Sequence, residues 1–342
     1  MISRVLNFFN FATQPKPTIY DLEAKVLKYS GLELNRDLFV YDVPIEMNNK
    51  TYKIHTYRCG DHNTEELVLL HGYAGTSALY YPMLKELSEK YKVYCIDFIG
   101  MGLSSKEKFE CQNTDETLDF LVGSIEKWRQ EVGIEKFHLA GHSFGGYISG
   151  QYAARYPDKV KKLSLLSPVG FTKHDQELTI EHILEKSGFW RKMFINYVMN
   201  AWKNGVTPHS FLHNNPTIGK YLIGRYLGRL FTKESEEAEH VKEFMIEMLN
   251  LPLGAEPAIH HILKPPRAAA HFPLEEFIEN MKMPIDCYFG EHDYMDTTGA
   301  ERVKNRGKKI DFAFKVVPGA AHQLTMQNPL NLAKQLIDGY QF

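Results

Sequence analysis

A serine between two glycines is the residue of this chain best suited to nucleophilic chemistry. It is Ser143, in the run Gly141-His142-Ser143-Phe144-Gly145, which matches the pattern G-x-S-x-G. Residues 136–140 predict a buried strand before it, and residues 146–156 predict a helix after it. A sharp strand-to-helix turn exposes the serine hydroxyl, and glycines are needed on both sides because the turn leaves no room for side chains. An ordinary serine in such a turn is the alternative interpretation.

A serine hydroxyl is a poor nucleophile at neutral pH, so a nearby base is required. Catalytic groups of a parallel sheet gather at the carboxyl ends of its strands. His322 follows the last predicted strand, residues 312–317, and Asp293 follows the preceding one, residues 284–290. We predict that His322 takes the serine proton and that Asp293 orients its imidazole. The alternatives are an ordinary loop histidine, a helix-capping role for Asp293, and Asp296 as the acid instead.

Two backbone N–H groups are needed to stabilise the negative charge that develops on an attacked carbonyl oxygen. Phe144, the residue after the nucleophile, is predicted to supply one. The loop after the predicted strand at residues 66–72 is predicted to supply the other from Tyr73, because the pair His71-Gly72 lets that loop turn close to the serine. An ordinary turn at Gly72 is the alternative.

These side chains are positioned by short apolar strands that alternate with helices. An antiparallel pair at residues 39–47 and 51–57 opens the pattern, with Asn48-Asn49 at its turn. Further strands are predicted at 66–72, 92–97, 136–140, 162–167, 284–290 and 312–317, and helices at 79–91, 115–132 with Thr114 as its cap, 146–156, 297–305 and 329–337. The alternation predicts an α/β fold with a mostly parallel, doubly wound sheet.

The alternation is interrupted once. From about residue 171 to 275 no strand pattern occurs and helical patterns dominate. We therefore predict a core made of residues 39–170 and 276–342, a helical lid inserted at 171–275, and an N-terminal arm at 1–38.

The first 20 residues have their own composition, with Arg4 and Lys16 but no acidic residue. One helical face of this segment carries Ile2, Val5, Leu6 and Phe9. This pattern predicts a mitochondrial presequence or an interfacial anchor. The expected location is intracellular and membrane-associated, with the mitochondrion as the specific prediction. The alternative is an arm that packs its aromatic side chains on the domain.

The composition argues against several classes of protein. Of the 342 residues, 44% are apolar and 24% are charged, and a net charge of −2 gives no reason to expect nucleic acid as a partner. The chain contains no run of 18 apolar residues, so we predict no membrane-spanning helix. The four cysteines have no C-x-x-C spacing, which favours reduced thiols over a disulfide frame or a zinc site, with two bridges left open as the alternative. We predict no metal and no organic cofactor.

Taken together, the motifs resemble the α/β-hydrolase superfamily over nearly all of residues 40–340, and the order Ser, Asp, His is the one found there. Within the superfamily, the chain is similar to the branch of lysophospholipid and N-acyl-phospholipid hydrolases, lysophosphatidic acid acyltransferase-like proteins and the fungal cardiolipin-specific deacylase. The stretches that carry this narrower resemblance are 70–73, 96–105, 141–146, 166–171, 210–231 and 288–296.

One position departs from the members of that branch that are credited with acyl transfer. Those members carry an H-x4-D element at the final histidine, whereas His322 is followed by Gln327 at the Asp position. The departure favours hydrolysis over acyl transfer. Some relatives have lost the nucleophile and act as lipid-droplet coactivators, and the presence of Ser143 argues against that role.

The predicted lid is rich in large apolar residues. Trp190, Phe194, Tyr197 and Ala201 recur at helical spacing, as do Leu222, Tyr226 and Leu230, and Arg225 and Arg229 share a face. Either these side chains pack the lid on the core, or they form an acyl-chain tunnel and a membrane-facing cap whose arginines meet lipid phosphates.

The sequence thus predicts a serine hydrolase that cleaves a lipid acyl ester, of a phospholipid or lysophospholipid, through an acyl-enzyme, with peripheral membrane contact. Three alternatives stay open: a hydrolase of a small non-lipid ester, a lysophospholipid acyltransferase, and an accessory subunit that binds partner proteins in a larger mitochondrial membrane assembly.

Overall fold

The computed structural model describes residues 16–174, 188–231, 233–265, 269–307 and 310–340. The apolar face predicted for residues 2–9 lies outside these ranges.

Among the described residues, eight strands form one mixed sheet: β1 (Leu38–Met47), β2 (Lys50–Cys59), β3 (Glu66–Leu70), β4 (Lys92–Ile96), β5 (Phe137–His142), β6 (Val160–Leu166), β9 (Ile285–Gly290) and β10 (Phe312–Val317). Two further strands, β7 (Leu263–Lys264) and β8 (Ala269–Ala270), form a separate pair. The spatial order of the eight is β1-β2-β4-β3-β5-β6-β9-β10. β2 pairs antiparallel with β1 and β4, and every other pairing in the sheet is parallel. The predicted mostly parallel α/β sheet is therefore confirmed.

The hairpin between β1 and β2 turns where the sequence predicts. Asn48 and Asn49 have φ values of 51° and 59°, and Met47 pairs with Lys50 across the turn. Two consecutive residues with positive φ make the tight turn whose twist matches a hairpin, and asparagine tolerates that conformation well.

Helices cover both faces of the sheet, so its central strands are mostly apolar. In β3, Val68 and Leu70 belong to one hydrophobic cluster, whereas Leu67 and Leu69 belong to the other. Successive side chains of a strand point to opposite faces, so a strand covered on both sides has a nearly continuous run of apolar side chains. In the part of the chain that the structure describes, the α-helices are α1 (Ile19–Leu27), α2 (Tyr81–Ser88), α3 (Thr114–Glu131), α4 (Phe144–Arg155), α5 (Phe189–Lys203), α6 (Pro208–Asn214), α7 (Pro216–Leu230), α8 (Glu236–Asn250), α9 (Ala258–Ile262), α10 (Thr298–Arg306), α11 (Leu324–Gln327) and α12 (Pro329–Tyr340).

Two local predictions are wrong. Asn113, not Thr114, caps α3, since its side-chain oxygen accepts the N–H of Glu116 at 2.9 Å. The segment predicted to lack strands contains β7 (Leu263–Lys264) and β8 (Ala269–Ala270), which pair antiparallel. Strands of two residues are too short to produce an alternating pattern in the sequence.

Helices α5 to α9 form a helical insertion between β6 and β9, and its end is fixed to the core. The N–H of Ala255 donates to the carbonyl of Gly100 at 2.9 Å. Gly100 has φ +77°, and a side chain there would come within 2.5 Å of Ala255. Glu256, only 1% exposed, pairs with Lys106 at 3.1 Å. A buried ion pair beside a close backbone contact holds this end of the insertion in place.

Helix α1 packs on the insertion. Its first turn is closed by a capping box, in which Thr18 and Asp21 satisfy each other's backbone N–H groups. Ion pairs then join this end of the chain to α8: Lys16–Glu247 at 3.1 Å, Lys25–Glu243 at 3.6 Å and Lys28–Glu236 at 3.1 Å. Exposed ion pairs contribute little, so the aliphatic side chains that α1 buries carry most of the docking energy.

A buried polar network anchors α1 to the sheet. The ring of His55 contacts Glu23 of α1 at 3.0 Å and Asp42 of β1 at 2.8 Å, and Tyr57 donates to Glu23. Burial lowers the pKa of His55, but the hydrogen bonds to Asp42 and Glu23 outweigh it and raise the pKa to about 10. His55 is therefore a cation in the folded protein at neutral pH.

We expect the protein to lose stability as the pH rises from 6.5 to 10. In this window the folded state holds a proton on His55 that the unfolded chain releases, so the free energy of unfolding falls, by about 4 kcal/mol at most. Urea unfolding of the wild type and of His55→Gln across this range measures the effect. Lysines, tyrosines and cysteines also titrate at high pH, so the difference between the two curves is the relevant quantity. If the difference in free energy of unfolding between wild type and His55→Gln does not change with pH, the prediction is contradicted.

Candidate active site

Ser143 occupies the turn between β5 and α4 in a strained conformation. Its φ is +55° and its ψ is −113°, which a serine rarely adopts. Three backbone hydrogen bonds hold it there: its N–H donates to Leu166 at 2.8 Å, and its carbonyl accepts from Tyr147 at 3.1 Å and Val169 at 3.2 Å. The surrounding backbone therefore fixes the position of the hydroxyl.

The glycines on either side of Ser143 have steric reasons to be glycine. A Cβ at Gly141 would lie 2.2 Å from the carbonyl oxygen of Gly145. A Cβ at Gly145 would lie 2.4 Å from the carbonyl oxygens of both Leu70 and His71. These distances are far below van der Waals contact, so α4 can approach β3 only without those side chains.

His322 comes into hydrogen-bond distance of the serine from the far end of the chain. Its Nε2 lies 3.0 Å from Ser143 Oγ. The loop that carries it follows β10 and is braced by Gln327, whose side-chain oxygen accepts the N–H of Ala321 at 2.8 Å. Gln327 thus supports the histidine loop from behind and is not among the residues that line the cavity in front of the serine.

The other ring nitrogen of His322 faces two oxygen atoms. Nδ1 lies 2.7 Å from Ser167 Oγ and 3.4 Å from Asp293 Oδ1. The first distance is a hydrogen bond and the second is long for one. With the proton on Nδ1, the lone pair of Nε2 is left to accept the Ser143 hydroxyl hydrogen.

Asp293 and Asp296 lie in the same loop but have different partners. Burial raises the pKa of Asp293, but its contacts with His322 and Ser167 and the hydrogen bond from the N–H of Met295 outweigh it and lower the pKa to about 2. Asp296 accepts the N–H of Thr298, the first residue of α10, at 3.0 Å, whereas Thr297 is the cap residue and makes no side-chain cap bond. Asp296, and not Asp293, therefore makes the side-chain hydrogen bond at the start of α10.

Ser167 is a site residue that the sequence analysis did not predict. It follows β6, is fully buried and has φ +48°. Its N–H donates to the carbonyl of Tyr288 at 2.7 Å, which fixes it beside the end of β9. The sequence feature that could have indicated Ser167 is its position at the carboxyl end of a central strand, where catalytic groups of parallel sheets gather.

His142, the residue before Ser143, is a second site residue that was not predicted from the sequence. Its Nε2 donates to the carbonyl oxygen of His322 at 2.7 Å. Burial, together with the nearby His322, lowers the pKa of His142 to about 3, so the ring stays neutral. A neutral imidazole in this tautomer positions the His322 backbone without adding a second positive charge to the site.

The loop that follows β3 runs beside the serine. His71 donates from Nδ1 to the Gly72 carbonyl at 2.7 Å and accepts the N–H of Phe98 on Nε2 at 3.0 Å. Burial lowers the pKa of His71, which is consistent with this neutral, doubly bonded ring. A Cβ at Gly72 would lie 3.5 Å from Ser143 Cβ, so the loop passes close to the nucleophile.

The two residues predicted to form the oxyanion hole are neighbours. The rings of Tyr73 and Phe144 lie 6.1 Å apart in an edge-to-face arrangement. Phe144 is the first residue of α4, where backbone N–H groups lack partners within the helix. The donor roles of the Tyr73 and Phe144 N–H groups stay predictions.

Asp97 organises the loops behind this site. The buried carboxylate accepts the N–H of Ser77 at 2.6 Å and that of Leu103 at 2.7 Å, together with the Thr76 hydroxyl. A Cβ at Gly102 would lie 2.0 Å from the same carboxylate. Asp97 therefore links the segment that follows Tyr73 to the loop after β4.

Comparison with known proteins gives this arrangement a fold family. A family model described as the alpha/beta hydrolase fold matches residues 66–202. Naproxen esterase (carboxylesterase NP) from Bacillus subtilis superposes with a TM-score of 0.62 at 19% identity, covering 94% of this chain and 97% of that one. The protein has the α/β-hydrolase fold.

Relatives of this α/β-hydrolase-fold protein carry lipid-related names. A probable 1-acylglycerol-3-phosphate O-acyltransferase from Oryza sativa subsp. japonica is 28% identical over 79% of this chain and 65% of its own length. The (lyso)-N-acylphosphatidylethanolamine lipase of Homo sapiens is 24% identical over 90% of this chain and 87% of its own length. The resemblance to a lipid-related branch is therefore confirmed. The chain spans slightly under two thirds of the length of two plant relatives: 65% of the Oryza sativa protein and 63% of the 1-acylglycerol-3-phosphate O-acyltransferase from Arabidopsis thaliana.

In this α/β-hydrolase-fold protein a cavity of about 470 Å³ lies in front of Ser143 and His322. The insertion supplies its apolar wall through Leu212, Leu222, Ile223, Tyr226 and Met245. A second cavity of about 230 Å³ shares Leu212, Ile223 and Met245 with the first and continues to Pro208, His209, Met248 and Leu249. The two cavities therefore adjoin along Leu212, Ile223 and Met245.

Within the described residues, no helix is both long and apolar enough to cross a membrane.

Proposed function

We propose that this protein is a serine hydrolase that cleaves a lipid acyl ester through an acyl-enzyme. The observation that carries the proposal is the 3.0 Å contact between His322 Nε2 and Ser143 Oγ at the base of a largely apolar cavity. A nucleophile and a base at this distance, with the base oriented by a third group, are the requirements of acyl transfer.

In the first half of the reaction, Ser143 Oγ attacks the acyl carbonyl carbon while His322 Nε2 takes the hydroxyl proton. The ionised Asp293 stabilises the imidazolium that forms. Negative charge on the carbonyl oxygen is stabilised by the N–H groups of Phe144 and Tyr73 in their predicted roles. The tetrahedral intermediate then expels the alcohol, which takes the proton from His322, and leaves the acyl group esterified to the serine.

In the second half, water attacks the acyl-enzyme carbonyl and gives a proton to His322. The intermediate collapses, Ser143 regains the proton and the fatty acid leaves. No bond to a metal or cofactor takes part in this scheme, since the base and the backbone donors perform each proton transfer and charge stabilisation.

A lipid substrate is supported by the shape of the cavities and by the names of the relatives. Together the cavities lie within the size range of small-molecule sites. Their far end is walled by Met248, Leu249 and Leu212 and suits an acyl chain better than a compact polar ester. The human relative is named as a lipase of an N-acylated phospholipid, and the plant relatives as acyltransferases of a lysophospholipid.

A fluorophosphonate probe tests the proposal directly. We expect Ser143 Oγ to displace fluoride and to become covalently labelled in the wild type, and Ser143→Ala to stay unlabelled. Labelling of wild type alone, with the modified peptide identified by mass spectrometry, supports the proposal. A folded wild type that stays unlabelled overturns it and favours a role as an accessory subunit, which native electrophoresis well above 39.5 kDa would then support.

We expect the rate to depend on acyl-chain length through the second cavity. Each buried CH₂ adds about fourfold to kcat/KM until the chain fills the cavity. Met248→Trp blocks the far end, so the increase stops at shorter chains while short esters react as before. Met248→Leu preserves the volume and serves as the control. Equal chain-length profiles for wild type and Met248→Trp would place the acyl chain elsewhere.

Acyl transfer to a lysophospholipid is a second candidate, favoured by the names of the plant relatives. Here an acceptor hydroxyl replaces water in the second half of the reaction. Product analysis with radiolabelled acyl donor and added 1-acylglycerol-3-phosphate separates the two functions. We expect free fatty acid to be the main product. Diacylglycerol-3-phosphate as the main product would instead make the protein an acyltransferase.

A further inference from the structure

Helix α5 exposes a row of large apolar side chains. Phe189, Trp190, Met193 and Tyr197 lie on one face, because positions separated by three, four and seven or eight residues align on a helix. Their exposed fractions are 68%, 79%, 53% and 59%. The opposite face is the inner one, since Met199 is buried and Trp202 packs on His260 at 4.3 Å between rings. The row therefore faces away from the protein.

Helix α7 exposes a second row. Ile218, Tyr221 and Leu222 share an outer face with Arg225 and Arg229, and the three apolar side chains are 43%, 61% and 43% exposed. The inner face is marked by Ile223 and Leu227, which are buried. Exposed apolar side chains arranged along the outer faces of two helices indicate an interaction surface.

The charge of this region is one-sided. Residues 188–231 contain no aspartate or glutamate, although the whole chain has a net charge of −2. The cations of the region are Arg191, Lys192, Lys203, Lys220, Arg225 and Arg229. Among the described residues, no carboxylate forms an ion pair with Arg225, whose guanidinium instead lies over the Tyr221 ring at 6.0 Å. Apolar and aromatic side chains mixed with an excess of cations complement an anionic lipid surface.

We propose that the outer faces of α5 and α7, called here the docking surface, bind the surface of an anionic phospholipid bilayer. The aromatic side chains enter the interface between headgroups and acyl chains, and the arginines contact phosphate groups. This inference deepens the proposed function, because the bilayer would be the source of the lipid substrate. Binding to the bilayer does not depend on hydrolysis, but its role in supplying substrate rests on the proposed function.

The docking surface is next to the path to the serine. Leu222 is both exposed on α7 and part of the wall of the cavity, and Ile223 and Tyr226 line the cavity from the same helix. An acyl chain that leaves the bilayer under α7 would therefore pass along one helix to reach Ser143.

Vesicle binding by the full-length chain tests the docking surface. Ser143→Ala is used as the parent so that lipid is not consumed, and vesicles of phosphatidylcholine alone are compared with equimolar phosphatidylcholine and phosphatidylglycerol. We expect at least tenfold tighter binding to the anionic vesicles. Arg225→Glu/Arg229→Glu should weaken that binding at least tenfold, because each lost cation contributes about fivefold. Trp190→Ser/Tyr197→Ser should weaken binding to both kinds of vesicle.

Matched controls come from other exposed positions. Lys90→Glu/Lys136→Glu makes the same change in net charge, and Leu330→Ser removes an apolar side chain that is 63% exposed. Both controls should bind as the parent does. Brominated lipids should quench the fluorescence of Trp190, and this quenching should disappear in Trp190→Phe.

The outcomes separate docking from catalysis. Vesicle affinity of Arg225→Glu/Arg229→Glu within twofold of the parent overturns the docking proposal, as does equal loss in Lys90→Glu/Lys136→Glu. Capture of a protein partner by this surface without vesicle binding also overturns it. Fluorophosphonate labelling with no vesicle binding supports the hydrolase proposal and overturns the docking proposal. Vesicle binding without labelling of the wild type supports the docking proposal and overturns the hydrolase proposal.

Discussion

Replacement of Ser143, of His322 or of both by alanine is expected to lower kcat for a lipid ester by the same large factor, about 10⁶-fold. The reason is that the two side chains act as one unit. In the proposed mechanism His322 Nε2, 3.0 Å from Ser143 Oγ, removes the proton that makes the serine nucleophilic, so either group without the other would have no function. Once one is gone, removal of its partner costs nothing further.

The double variant makes this prediction sharp. Single-turnover rates of the three variants with one chromogenic ester provide the comparison, and thermal unfolding verifies that each is folded. Ser143→Ala is expected to keep the wild-type melting temperature within a few degrees, since the lost hydroxyl faces the cavity. Losses that multiply in the double variant would show that the two residues act independently and would contradict the proposed roles.

Asp293→Asn is expected to have the second largest effect, a loss of about 10⁴-fold in kcat. Asp293, with its pKa lowered to about 2, is ionised throughout the physiological range, and its proposed role is to stabilise the imidazolium form of His322. An asparagine has similar size but no charge, and it can also hold the imidazole in the wrong tautomer. The kcat of Asp293→Asn measured at neutral pH tests the prediction.

Ser167→Ala is the matched comparison, because Ser167 Oγ is nearer to His322 Nδ1 than Asp293 is, at 2.7 Å against 3.4 Å. The serine is neutral, so its loss removes a hydrogen bond and no charge, and we expect a reduction of about 10- to 100-fold. Ser167→Thr retains the hydroxyl and should recover part of the activity. A larger loss in Ser167→Ala than in Asp293→Asn would make the serine hydroxyl the main orienting group.

Much of the fold could be predicted because its signals are local. Strands β3 to β6 are short, mostly apolar and separated by helices, which is the pattern of a parallel sheet covered on both faces. The turn at Asn48-Asn49 is similarly local, since its chemistry depends on two residues. The predictions that were wrong concern weak local signals: adjacent residues that both suit a cap, Asn113 and Thr114, and strands of two residues.

The site could be predicted in part. Residues that sequence patterns mark, such as Ser143 and the glycines beside it, do lie at the predicted turn. The partner of His322 Nδ1 could not be read from the sequence, because Ser167 meets it only through the parallel register of β6 and β9, in which Leu166 pairs with Tyr288. Asp293 and Asp296 are only three residues apart in the sequence, and the structure distinguishes them because Asp293 faces His322 whereas Asp296 contacts the start of α10.

The sequence by itself determined which chemistry is available: a serine in a glycine-flanked turn, with an acid and a histidine in loops that follow later strands. It also determined an α/β sheet, because the strand and helix periods are properties of short segments. Only the tertiary structure decided that Ser167 and His142 complete the surroundings of His322, and that Trp190 and Tyr197 face outward. Amphipathic spacing shows that a helix has two faces, but which face is covered depends on residues far away in the chain.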